Sequence, residues 1–125
     1  MESRAISLAR TGDGRACIVS INGEHDLSTI DDLQQTLSEA ATASAMVVDL
    51  TGAEFIDSAV LGALIASHRE AVDADRGWSL VVGNGAGAAV RRILELTGLD
   101  AVLPMYAGQE EALAASEAAE EGPIT

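Results

Sequence analysis

Residues Ala53-Glu54-Phe55-Ile56-Asp57-Ser58-Ala59-Val60-Leu61-Gly62 lie in the middle of a 125-residue chain. An apolar, strand-like pattern ends there and a helical one begins. Beyond the joint, Val60, Leu61, Leu64, Ile65, His68 and Val72 recur on one face of a helix expected to close near Asp75. Asp57 and Ser58 occupy the joint itself. Short side chains bearing oxygen satisfy the free N–H groups of a first helical turn, so the pair reads first as a helix cap. It can also be the point where the protein is controlled.

The flanking segments repeat the same change of period. Met46 to Leu50 is a short apolar run of β-favouring residues, and Trp78 to Val82 is another; both read as buried strands. Gly83-Asn84-Gly85-Ala86-Gly87 then turns the chain into a helix carrying Val90, Ile93 and Leu94, which Gly98 closes. Upstream, Ala5 to Ala9 and Arg15 to Ile21 are strand candidates, the second with Cys17, Val19 and Ile21 on one face. Gly23-Glu24-His25-Asp26 is expected to break that strand. Ser28 is expected to cap a helix with Ile30, Leu33, Leu37 and Ala40 as its apolar stripe.

Near the end, Ala101 to Leu103 reads as a last short strand stopped by Pro104, followed by a Glu- and Ala-rich helix from Gln109 to about Ala119. Strands that alternate with helices imply α/β layering with parallel pairs, while the two opening strands, with no helix between them, can pair antiparallel. The expected fold is a small mixed β-sheet of four to five strands flanked by about four helices. Residues 1–119 form one domain in this reading, and residues 120–125 a frayed tail.

Hydrophobic residues make up 48% of the chain but aromatic residues only 2%, so the core must be built from Val, Ile, Leu and Ala. The formal net charge is −13. A field of that sign repels phosphate backbones and anionic lipid, which argues against nucleic-acid and membrane partners and suits a basic or apolar docking face on a protein. Cys17 is the single cysteine, so no internal disulfide forms. No basic segment followed by an apolar stretch opens the sequence, and no apolar run approaches the ~20 residues that span a bilayer. A cytoplasmic protein is expected.

Three chemistries can be weighed on residues alone. Gly83-x-Gly85-x-x-Ala88 follows a strand and opens a helix, as a dinucleotide fingerprint requires, but Asp100 comes too early for its acidic partner; a flexible turn explains the glycines more simply. Glu24-His25-Asp26 offers three ligand types, yet sequence neighbours do not converge easily on one ion, and there is no paired histidine spacing or cysteine set. His68 reads as a core-edge residue. The surroundings of Ser58 do not form the G-x-S-x-G elbow of a hydrolase. No cofactor, metal or catalytic residue is assigned.

Three blocks in order resemble the STAS domain, and specifically the stand-alone anti-sigma factor antagonists. Gly23-Glu24-His25-Asp26-Leu27-Ser28-Thr29 resembles that family's G-E-[LI]-D-x-x-[ST] stretch. Val47-Val48-Asp49-Leu50 leading to Phe55-Ile56-Asp57-Ser58-Ala59-Val60-Leu61-Gly62 resembles its D-S-[ST]-G-L-G switch segment. Val90-Arg91-Arg92-Ile93-Leu94-Glu95-Leu96-Thr97-Gly98-Leu99 resembles its V-x-R-x-[LF]-x-x-[ST]-G-L helix end.

The resemblance implies a mixed sheet with surrounding helices and a function without catalysis. In that family the unphosphorylated domain binds an anti-sigma factor that is also a serine kinase, and sigma factor is released. The kinase then phosphorylates the serine matched by Ser58 and the complex dissociates; a phosphatase reverses this. Asp26 matches a residue near that serine. Asp26, Asp57, Ser58, Ala59, Val60 and Gly62 are therefore the expected switch and partner-binding residues, in a monomer or weak dimer. Ala59 replaces a second hydroxyl residue, Val60 replaces a glycine, and His25 replaces an aliphatic residue. Val60 is expected to put a branched side chain where the kinase approaches. One alternative keeps the fold as an unphosphorylated STAS module of a stress-sensing or lipid-transport complex; the other is a small nucleotide-binding domain using Gly83 to Gly87.

Overall fold

A computed structural model describes residues 5–83 and 88–121. The chain opens with a hairpin, β1 (Ala5–Arg10) and β2 (Ala16–His25), antiparallel from Ala5 opposite Asn22 to Arg10 opposite Cys17. Its turn is held by Asp13, whose carboxylate accepts from the Thr11 hydroxyl at 2.6 Å and the Arg15 amide at 3.0 Å. Those bonds, the Thr11 hydroxyl foremost, keep the Asp13 carboxyl below its ordinary titration range.

β2 does not stop at Gly23. Gly23 takes φ +84°, the register shifts between Gly23 and Glu24, and the strand runs on to His25. A glycine at positive φ admits a bulge without a Cβ clash, so a residue type that commonly ends strands here bends one. The strand's inward alternation therefore extends from Cys17, Val19 and Ile21 to His25.

After β2 come α1 (Ile30–Ala40), β3 (Ala45–Asp49), β4 (Ala53–Ile56), α2 (Ser58–Asp73), β5 (Gly77–Val81), α3 (Ala88–Thr97), β6 (Met105–Tyr106) and α4 (Gln109–Glu121). The mixed sheet has the order β1-β2-β3-β5-β6, with β4 also paired to β2. β3 runs parallel to β2 along Ala16–Ser20, and β4 takes over as a parallel partner along Gly23–His25. This six-stranded sheet exceeds the expected four to five through its two shortest members, β4 and β6. The expected strand at Ala101 to Leu103 is instead a 3-10 turn, Leu99–Ala101, after Gly98 at φ +75°. Pro104 has no N–H to give a ladder, but its carbonyl accepts from Leu80 N at 2.9 Å, and β6 begins just after it.

Alternation divides the apolar residues between two layers. Val19 and Ile21 of β2, Met46 and Val48 of β3, and Trp78 and Leu80 of β5 share the main core with Leu33, Leu37 and Ala40 of α1 and Val60, Leu61 and Leu64 of α2. On the opposite face Val47 and Val81 are covered by Ala112 of α4, with Ile18, Tyr106 and Leu113 around them. Gln109 donates to the Asp49 carboxylate at 2.5 Å, fastening the start of α4 to the end of β3. Val72, expected on the inward face of α2, is 57% exposed, and Ala71 is buried instead. At about 100° per residue, Ala71 falls under Leu64 and Val72 turns off the stripe. His68 is half-buried, edge-on to Trp78 with centroids 5.2 Å apart.

Candidate functional site

Two adjacent parallel strands end side by side, and each is followed by an aspartate. His25 of β2 is opposite Ile56 of β4, so Asp26 and Asp57 leave the sheet together. Neighbouring strands are about 4.8 Å apart, which brings the two turns into one surface at the carboxyl ends of the strands. Both aspartates are extended, with φ −143° at Asp26 and φ −105° at Asp57.

Each carboxylate caps the turn immediately after it. Asp57 Oδ1 accepts from Val60 N at 3.1 Å, so Asp57 is the N-cap and Ser58 the first residue of α2. Asp26 Oδ1 accepts from Ser28 N at 2.9 Å and from the Ser28 hydroxyl at 2.5 Å, capping a 3-10 turn, Leu27–Thr29, that leads into α1. Ser28 is therefore not the cap of α1, as its sequence position suggested. Thr29 holds that place and makes no side-chain capping bond. Its hydroxyl is instead shared with the His25 ring at 3.1 Å and the Asp26 carbonyl at 3.1 Å.

Because the cap is Asp57, its removal should be felt in folding. Asp57→Ala is expected to lower stability by about 0.5–2 kcal/mol, the usual loss for an N-cap. Ser58→Ala should change it by less than about 0.5 kcal/mol, as for other exposed positions. Urea unfolding of the two variants checks this ordering, and a larger loss for Ser58→Ala would reassign the cap.

The residues after the cap divide between core and solvent. Ser58 is exposed, and its hydroxyl has no hydrogen-bond partner among the described residues. Ala59 is half-buried. Val60 is fully buried, so the branched side chain expected to meet a kinase faces the core and leaves the approach to Ser58 open. Gly62 is exposed, and a Cβ built on it meets no atom within 4 Å. With Ala66, also exposed, Ser58 and Gly62 make a smooth face along α2. Leu27 is 69% exposed and Phe55 42% exposed, apolar side chains at this same end of the sheet that the motif reading did not single out.

The other candidates have structural explanations. Glu24 and Asp26 are exposed while His25 between them is buried, so strand alternation parts the three as ligands. Among the described residues no group of three or more His, Cys, Asp or Glu side chains could hold a metal ion. Residues 84–87 of the glycine loop lie outside the described residues. At its first glycine, Gly83, a Cβ would lie 2.9 Å from the Ala107 carbonyl oxygen, and Arg91 donates to the Gly83 carbonyl at 2.5 Å. Close packing of backbone against backbone thus accounts for Gly83, and the nearby cation is occupied. No helix among the described residues is long and apolar enough to cross a membrane.

A family model described as "Mlab, STAS domain" matches residues 8–104. An anti-sigma factor antagonist from Mycobacterium paratuberculosis is similar over 93% of this chain and 96% of its own, at 31% identity and a TM-score of 0.79. The chain belongs to the STAS domain family. The phosphorylated form of the Bacillus cell fate determinant SpoIIAA shares the fold, at 20% identity, a TM-score of 0.66, and coverage of 89% of this chain and 98% of that one. So does an anti-sigma-factor antagonist domain protein from Planctomyces limnophilus, at 20% identity, a TM-score of 0.71, and coverage of 89% and 96%. No curated protein matches the chain in sequence.

Proposed function

We propose that this chain is an anti-sigma factor antagonist. Unphosphorylated, it binds an anti-sigma factor that is also a serine kinase, and the sigma factor is released. Phosphorylation of Ser58 ends the complex, and a phosphatase restores the binding form. The observation that carries this reading is the position of Ser58: an exposed, unengaged hydroxyl at the first residue of α2, beside a cap that does not depend on it. A modified Ser58 leaves Asp57 bonded to Val60 N, so charge can be added without dismantling the helix end.

Other observations support the same reading. The similar protein from Mycobacterium paratuberculosis is itself described as an anti-sigma factor antagonist. A net charge of −13 favours a partner with a basic docking face. The chemistry asked of this chain is acceptance of a phosphoryl group and loss of a binding partner, not turnover.

The test uses the purified anti-sigma kinase with Mg-ATP. Wild-type protein is expected to bind it without ATP and to gain one phosphate with ATP, located on Ser58 by mass spectrometry. Ser58→Ala should bind and gain none. Binding with no phosphate on Ser58 would favour the second reading, an unmodified STAS module, to which the missing hydroxyl at Ala59 and the "Mlab" description of the family model both lend weight.

A further inference from the structure

His25 is 2% exposed, and both ring nitrogens are engaged. Nε2 lies 2.8 Å from the Asn22 carbonyl oxygen, which can only accept, so Nε2 carries a proton. In the neutral ring Nδ1 is then an acceptor, and the Thr29 hydroxyl 3.1 Å away has one proton to share between Nδ1 and the Asp26 carbonyl oxygen, also at 3.1 Å. The ring therefore ties the end of β2 to the last residue of the 3-10 turn. Asp26 grips the same turn from its other end, through Ser28 N and the Ser28 hydroxyl.

What this double tether holds out is Leu27. Its side chain is 69% exposed although the turn around it is fixed at both ends. Leu27 stands two residues beyond His25, and Ser58 two residues beyond Ile56, the residue paired with His25 across adjacent strands. The apolar knob and the switch hydroxyl thus share one surface. Asp26 directly precedes Leu27 and Asp31 and Asp32 follow in the first turn of α1, all three exposed, so the knob is flanked in sequence by negative charge.

We infer that Leu27 is a docking residue for the anti-sigma kinase and that His25 is the positioning residue that presents it. The partner chemistry is an apolar socket rimmed by Arg or Lys, complementary to a leucine among carboxylates. This rests on the proposed antagonist function and adds a second contact point beside Ser58. An aliphatic residue at position 25 would fill the same space but leave the turn untied to β2, so the histidine sets how sharply Leu27 is presented.

The experiment combines affinity with hydrogen exchange. Leu27→Ala is expected to weaken binding to the purified kinase about tenfold, the value of one buried apolar side chain, with an unchanged melting temperature. His25→Leu should weaken binding similarly and speed exchange at the Ser28 and Thr29 amides about tenfold. His25→Asn, whose amide takes the place of Nδ1, should restore most of both. Thr29→Val removes the hydroxyl at nearly constant shape and carries the same test if His25→Leu does not fold. Unchanged exchange in a folded His25→Leu or Thr29→Val variant overturns the tether, whatever the partner does. Wild-type affinity in Leu27→Ala overturns the docking role. If wild-type protein binds no kinase while the exchange results hold, the antagonist reading and the docking role fall together and the tether stands.

Discussion

Stoichiometric phosphate on Ser58 is expected to weaken binding to the anti-sigma kinase by about 10- to 100-fold, equivalent to ~1–3 kcal/mol of charge mismatch at an interface. The stability of the free protein should change by less than about 1 kcal/mol. Ser58 is exposed, so the phosphate adds about −1.5 to −2 charges where water still solvates them. It also sits on the first turn of α2, where the positive end of the helix dipole favours an anion. In the proposed complex the same group would have to be desolvated on a surface that also carries Asp57 of its own turn and Asp26 of the neighbouring one. That difference between free and bound states is what the proposed switch requires. Ser58→Asp should show the same sign with a smaller effect, and titration calorimetry of both forms gives the ratio. Equal affinities with and without phosphate would sink the switch and leave Ser58 as an ordinary exposed helix residue.

The sequence carried this fold wherever burial followed a local period. Met46 to Val48 and Leu80 to Val81 alternate between two covered faces, and Leu33, Leu37 and Ala40 mark the inward stripe of α1. It was silent where an element exists only through its partner. β4 has four residues with Glu54 and Phe55 both exposed, so no alternation shows, and β6 has two residues placed solely by pairing with β5. The joint was legible as a joint, but Asp and Ser cap equally well on paper. The bond from Val60 N to Asp57 Oδ1 decides between them, with Asp57 extended and Ser58 the first helical residue. His25 had a signal that a strand stop at Gly23 obscured: counting by twos from Cys17 through Ile21 reaches it. Val60 shows the reverse case. A motif position judged by likeness faced the partner; judged by helical period it faces the core, and the period was right.

Gly62→Gln should strengthen the fold and abolish its use. Gly62 is exposed in the interior of α2, at ordinary helical geometry, and a Cβ there meets no atom within 4 Å. A glycine in such a place costs about 0.5–1 kcal/mol relative to a good helix former, so the variant should be more stable by roughly that amount. One turn from Ser58, however, the new side chain stands on the face proposed to meet the kinase. Binding should fall about 100-fold, because a closely packed interface cannot admit a long polar side chain without giving up contacts around it. Gly62→Ala, which adds only a methyl group, should lose far less, and Ala66→Gln, a further turn away, should fall between them. In the two Gly62 variants melting temperature and affinity then move in opposite directions, which no folding defect can produce, while Ala66→Gln, where alanine is already the better helix former, reads affinity alone. If Gly62→Gln gains stability and binds like the wild type, the face of α2 below Ser58 is not covered by the partner. The docking surface would then be confined to the two strand ends and the turns that Asp26 and Asp57 cap.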